Sequence, residues 1–139
     1  MSTAARVAAD FTVAVGQEVT ASLLSANPHF DAIWNHDDDQ GIGVLAAMNE
    51  ANRDEFFMVG GAGSLNAMND IKGGESVLEA TVIYPSTQAA DGILLARALV
   101  QGGNMNNLAS PGIPKRVVLY APVVTADNVD EFIHLGFES

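Results

Sequence analysis

This sequence of 139 residues predicts an α/β fold, a three-layer α/β/α arrangement around a mainly parallel open sheet, and three observations carry that expectation. Segments with strand character alternate with segments of helical period along the whole chain. Several strand segments are continuous apolar runs rather than alternating ones, the pattern of strands covered on both faces by helices. A hydrophobic content of 48% in a chain of about one domain's length is ample for a buried core.

Taken in order, "ARVAADF" reads as a short buried strand. A helix comes next, with Val15, Val19 and Leu23 spaced by four on one face and "ANP" as its stop. "FDAIWNH" is the second strand. From Asp39 to Asn52, residues Ile42, Leu45, Ala46 and Met48 give a helix whose polar face carries Asn49, Glu50 and Asn52. "FFMVGG" is the third strand, and the loop "GAGS" leads into a helix from Leu65 to Lys72 closed by "GG", where glycine can take a left-handed cap. "VLEATVIYP" is the fourth strand, ended by Pro85. Residues 86–101 form a helix with Ile93, Leu94, Leu95, Ala96, Leu99 and Val100 spread around it, which predicts burial on more than one flank. After the loop "GGNMNNLASPGIP", the strand "KRVVLYAPVV" precedes a last helix begun by "TADN" and running toward Leu135. No internal repeat or low-complexity tract interrupts this order.

Composition removes several function classes. Six basic residues against 17 acidic ones give a net charge of −11, which repels a phosphate backbone or an anionic membrane, so nucleic acid is not an expected partner. Zero cysteines exclude a disulfide framework, a thiolate metal site and a cysteine nucleophile. No stretch reaches the roughly 18 apolar residues a membrane span needs, and "MSTAARVAAD" has neither the basic start nor the apolar run of a signal peptide. The chain as given carries no address and would by itself be cytoplasmic.

In a parallel α/β sheet, ligands sit at the carboxyl ends of the strands. The segments "ADF", "NHDDD", "GGAGS" and "YPS" fall at those ends and are expected to converge on one rim. His36 beside Asp37, Asp38 and Asp39 invites a metal. The calcium-loop pattern fails, however, since counting from Asp37 puts Ile42 where glycine is required and Met48 where the bidentate glutamate belongs. "GGAGS" has neither the G-x-G-x-x-G register nor G-K-[ST], and Ser64 is not in a G-x-S-x-G elbow. His29, His36 and His134 stand in no recognisable order with a nucleophile. Catalysis, a metal and a cofactor therefore have no support. The aspartates admit two readings. Carboxylates at a helix start accept orphan N–H groups and gain up to about 1 kcal/mol each from the helix dipole. One suffices as a cap, and the others leave acceptors suited to a ligand with several hydroxyl donors, such as a sugar.

The order "ADF-x4-G", "LLSANPHFDAIWNHDDDQGIGVLAAM", "MVGGAGS…AMNDIKGG", "LEATVIYP" and "VVTADNVDEF" resembles the C-terminal portion of a periplasmic sugar-binding protein. The likeness is to the ribose-binding type of solute receptor for ABC importers, a type I periplasmic binding fold of Rossmann-like lobes shared with the effector domains of LacI-type repressors. It covers nearly the whole chain in unbroken order. The resemblance implies a non-enzymatic sugar or polyol binder whose two lobes close on the ligand and present it to a membrane permease. Phe11 matches the aromatic that stacks on the sugar ring, its alternative being a core phenylalanine. Asp37 falls on the Asn/Asp that hydrogen-bonds sugar hydroxyls. Asp38 matches the next, acidic residue of that motif, at the ligand or behind it at the helix start. Tyr84 lies at the hinge position that offers a polar side chain to the ligand, or packs between lobes. Gly61 and Ala62 belong to the loop lining the cleft, where many relatives read "GFDG" and Ala62 cannot supply the carboxylate.

The same resemblance implies that residues 1–84 and about 123–139 form the C-terminal lobe, while 85–122 correspond to a segment that in relatives packs on the N-terminal lobe. Most of that lobe, with the first strand and helix of the C-terminal lobe, has no counterpart here. An apolar helix face and an unpaired sheet edge are costly in water. The chain is therefore expected to form a homo-oligomer or to join a chain supplying the missing lobe. Within a longer exported protein it would be extracytoplasmic, periplasmic or lipid-anchored. The alternatives are the effector-binding domain of a LacI-type regulator and a fragment without a ligand.

Overall fold

The computed structural model describes residues 3–101 and 116–138. These fall into two compact units, residues 3–84 with 122–138 and residues 85–101 with 116–121.

In the first unit the order is α1 (Val13–Ala26), β1 (Ala32–Trp34), α2 (Asp38–Ala51), β2 (Phe57–Ala62), α3 (Leu65–Gly73), β3 (Leu78–Ile83), β4 (Val123–Thr125) and α5 (Val129–Phe132), and then a 3-10 turn, Ile133–Leu135. The sheet runs β1-β2-β3-β4. β1, β2 and β3 are parallel and β4 is antiparallel to β3, so the α/β class and the mainly parallel open sheet stand. Strands in sequential order joined by right-handed crossovers place α2 and α3 on one face. Met58 and Leu78 meet Val44, Ala67 and Ile71 there, and Ile83 and Val124 meet Met68 and Val129.

The opposite face lacks such a layer among the described residues. Trp34, which pairs in register with Val59, is 73% exposed, and Val123, opposite Val82, is 52% exposed. α1 packs against α2.

That stacking changes which residues of α1 are buried. Gly16, Thr20 and Leu24 face inward, one position on from the expected Val15, Val19 and Leu23, which are only half-buried. The physical reason is the close approach of two helices at glycines. A Cβ on Gly43 would run into the Val13 carbonyl and stand 2.6 Å from Gln17 N, and one on Gly16 would run into the Gln40 carbonyl. Small residues had to take the seam, so the larger valines were displaced to its margins.

Two expected strands are corrected. The expected strand "ARVAADF", residues 5–11, has no regular structure, is mostly exposed and pairs with none of the described strands. Of "KRVVLYAPVV", only Val123 and Val124 enter β4; residues 116–122 form no strand, and Val118 and Tyr120 are 73% and 77% exposed. The expected loop 102–114 and Lys115 lie outside the described residues.

The second unit contains α4 (Gln88–Val100), a helix at the expected place. None of its residues is buried, and Val100 is 88% exposed, which corrects the expectation of burial on more than one flank. An apolar helix surface on this scale is a contact surface in waiting.

Candidate functional site

The carboxyl ends of β1, β2 and β3 lie side by side because the strands are parallel and in register, Trp34 beside Val59 and Ala62 beside Ile83. The turns that leave these three strands therefore meet on one rim.

After β1 the chain turns into α2, and Asp37 closes the helix start. Its Oδ1 accepts from the backbone N–H of Asp39 at 3.1 Å and of Gln40 at 3.4 Å. Both bonds fall on one oxygen, so the cap leaves Oδ2 for a further donor. Asn35, buried beneath, donates from Nδ2 to the Asp37 carbonyl oxygen and fixes that turn. Sequence reading missed Asn35. The signal was present in Gly41, where a Cβ would stand 2.7 Å from Asn35 Nδ2.

Asp38 points the other way. It is 6% exposed, and its Oδ2 accepts from the N–H of Gly63 at 2.9 Å and of Ser64 at 2.8 Å. Thr81 Oγ1, fully buried on β3, donates to Oδ1 at 3.0 Å. Burial pushes the Asp38 carboxyl above the usual carboxylate range, while the hydrogen bonds from Ser64, Thr81 and Gly63 pull against that rise. Asp39, the third of the run, is half-buried in the first turn of α2.

Gly61 and Ala62 belong to the end of β2 rather than to a loop, and both are buried. Ala62 has φ 116°, a left-handed-side conformation that costs a residue with a Cβ on the order of 1–3 kcal/mol. Gly63 comes next at φ 83°, and a Cβ there would meet Ile83 Cγ1 at 2.8 Å. Ser64 then caps α3, its Oγ accepting from Ala67 N at 3.1 Å.

Tyr84 leaves the end of β3 and lies over Gly61. Its hydroxyl donates to the His36 carbonyl oxygen at 2.7 Å. Partial burial, then the charges of Asp37 and Asp38, push the phenol above its ordinary value. His36 in turn stacks on Trp34, ring centroids 4.7 Å apart and nearly parallel.

The fourth segment reaches the rim through Gln40, whose Nε2 donates to the Asp10 carbonyl oxygen at 3.3 Å. Phe11 beside it is 69% exposed, a free aromatic face and not a core residue. The structure thus brings Phe11, Asp37 and Tyr84 to the same end of the sheet with their side chains at the surface, and sets Asp38, Gly61 and Ala62 beneath them. Among the described residues no group of three His, Cys, Asp or Glu side chains is placed to hold a metal ion. Acceptor-rich carboxylate, phenol and an exposed ring can bind hydroxyls and the apolar face of a small polar molecule without any covalent step.

A parallel α/β lobe with its polar residues on the strand-end rim is the architecture of type I periplasmic binding proteins. The crystal structure of a galactofuranose binding protein superposes with a TM-score of 0.76 over 96% of this chain and 44% of that one, at 18% identity. In sequence, the xylitol-binding protein of Mycolicibacterium smegmatis is 32% identical over 109 residues, 78% of this chain and 28% of that protein. The ribose import binding protein of Bacillus subtilis is 33% identical over 93 residues, 62% of this chain and 30% of that protein. No protein-family profile matches. The chain belongs to the ribose-binding-like family of periplasmic binding proteins and corresponds to a part of one. It spans less than a third of the length of these curated relatives. They are named for binding and import, which points away from catalysis.

Proposed function

We propose that the chain is the sugar- or polyol-binding part of a solute receptor for an ABC importer, truncated with respect to its relatives, and that its ligand surface is the rim made by Phe11, Asp37 and Tyr84. The observation that supports this most directly is the union of three strand ends by two hydrogen-bond bridges, Tyr84 to His36 and Asp38 to Gly63 and Ser64. In this reading the exposed Phe11 ring takes the C–H face of the sugar. Asp37 Oδ2 accepts from hydroxyls, and Tyr84 supplies a phenolic oxygen beside it. Ala62 supplies no carboxylate, which favours ligands that need fewer acceptors on this side. Binding is the whole of the activity; no residue here is asked to move a proton or break a bond.

The receptor partner is an ABC permease, in the context of a longer, extracytoplasmic protein. Specificity requires a second wall to the cleft, provided by a second lobe, whether of the longer protein, of another copy or of another chain. Calorimetric titration of the full chain with xylitol, D-ribose, D-allose and myo-inositol tests the reading. One saturable heat is expected, and Phe11→Ala should weaken it about tenfold, or 1.4 kcal/mol, while leaving Tm nearly unchanged, because exposed positions typically stay within about 0.5 kcal/mol. No heat with any of the four, with Phe11→Ala indistinguishable from wild type, would overturn it.

A further inference from the structure

We infer that Asp38 is a positioning residue whose buried carboxylate holds the Ala62–Gly63–Ser64 turn in place and so sets the rim between the ends of β1 and β2. Its functional meaning rests on the reading of that rim as the ligand surface; its structural content does not.

Cap chemistry does not explain Asp38. The helix start is already closed by Asp37, whose Oδ1 takes the orphan N–H groups of Asp39 and Gln40. Asp38 instead spends Oδ2 on two backbone donors that lie 25 and 26 residues away, Gly63 and Ser64. These are the donors that need an outside acceptor. With Ala62 at φ 116° and Gly63 at φ 83°, the chain has left the ladder of β2, and the next N–H groups point away from any strand. A carboxylate is suited to this place because one oxygen can take both bonds while the other takes Thr81 Oγ1 at 3.0 Å. One side chain thereby ties the β1–α2 turn, the β2–α3 turn and the middle of β3. Glycine at position 60 leaves the carboxylate room, since a Cβ there would stand 2.7 Å from Asp38 Oδ1. Ser64, anchored through its N–H by Asp38, in turn caps α3, so the direction of that helix depends on the same group.

The geometry separates two roles that charge alone would confuse. Asparagine at 38 can offer its amide oxygen to Gly63 and Ser64 and donate from its NH2 to Thr81 Oγ1; alanine can do neither. The test is amide hydrogen exchange by NMR on the unliganded full chain. In Asp38→Ala the Gly63 and Ser64 amides should exchange at least about tenfold faster relative to the amides of Met68 and Ile71, and Asp38→Asn should restore most of that protection. In the wild type, a scalar coupling across the hydrogen bond should connect the Gly63 and Ser64 nitrogens to the Asp38 carboxyl carbon. That measurement decides the matter if the alanine variant does not fold. Unchanged exchange in Asp38→Ala, or no coupling in the wild type, overturns the inference. Titration with xylitol and D-ribose then separates the two readings. A wild type that binds neither of these, nor D-allose nor myo-inositol, sinks the sugar reading while the amides still judge Asp38. An Asp38→Asn variant with intact protection and abolished binding would make Asp38 a direct ligand contact and overturn the positioning role.

Discussion

The Tyr84 hydroxyl donates a 2.7 Å hydrogen bond to the backbone carbonyl of His36, crossing over Gly61 from the end of β3 to the end of β1. A Cβ on Gly61 would lie 2.8 Å from that hydroxyl oxygen and 3.0 Å from the His36 carbonyl oxygen. The absence of a side chain at 61 is what lets the phenol span the middle strand. Two consequences are expected. Tyr84→Phe should lower stability by about 0.5–1.5 kcal/mol, the net worth of one hydrogen bond. Gly61→Ala should cost at least as much, since it pushes the ring off the carbonyl, and the double variant should cost clearly less than the sum because both changes break the same bridge. Urea unfolding of the three variants checks this, and simple additivity would count against the bridge.

The seam between α1 and α2 allows no added carbon at Gly43. A methyl group there collides with backbone atoms of Val13 and Gln17, neither of which can move without shifting the helix. Gly43→Ala should therefore destabilise by about 1–3 kcal/mol despite alanine's better helix propensity. Gly92, inside α4, has nothing within 4 Å of its would-be Cβ. Gly92→Ala should stabilise that helix by up to about 1 kcal/mol. Circular dichroism melts of both variants should move in opposite directions.

How much of this was legible in the sequence depends on the range over which each feature is determined. The three parallel strands and the helices between them depend on apolar runs and caps, which are local, and "NHDDD", "GGAGS" and Tyr84 could be placed at strand ends for that reason. "ADF" was placed on the rim as a strand end, but that strand did not form; Gln40, which bonds the Asp10 carbonyl, carries the segment there instead. The division of labour among the aspartates was not legible. Nothing in three adjacent carboxylates says that Asp37 closes the helix while Asp38 turns inward to Gly63, because that depends on a turn 25 residues on. The one-residue shift of the buried stripe on α1 was hidden for a similar reason: the close approach is dictated by Gly43 of another helix. Position 62 gave no warning either, since an alanine in the sequence does not suggest φ 116°.

The pH response of stability should have two opposed components. Arg53, bonded to Glu55 through Nε at 2.8 Å, holds the Glu55 carboxyl down at about 2 against an ordinary 4.5. A depressed carboxyl contributes stability above its unfolded value and loses it as pH falls through the folded one, so this contribution fades between about 4.5 and about 2. Asp38 has the opposite sign. Its carboxyl is raised above 3.8 by burial, so its contribution is present below 3.8 and is lost as pH rises through the folded value. Glu55→Gln should flatten the acid limb and Asp38→Asn the limb above 3.8. Denaturant midpoints measured from about pH 2 to about pH 7 check both, and a variant that keeps the wild-type slope in its own window refutes its assignment.

The sheet face left exposed among the described residues makes a prediction about association. β1 is the edge of the sheet and pairs only with β2 among the described residues. On one face of the sheet Trp34 of β1 is 73% exposed and Phe57 of the neighbouring β2 43%, while Val123 of β4, at the far edge, is 52% exposed. A row of unpaired backbone groups beside a large apolar patch is a template for another chain, and proteins ordinarily cover or charge such an edge. The charged residues of β1–β4 do not do so here: Glu79 is exposed, but it lies on β3, away from the edge. Sedimentation equilibrium should therefore give a weight-average mass above 14.5 kDa that rises with concentration. Trp34→Lys places a charge on the edge and removes the largest apolar surface, so it should shift the chain toward monomer with little loss of fold. A wild type that stays monomeric at every concentration would mean that the open face tolerates water, and that a second copy does not supply the missing wall of the cleft.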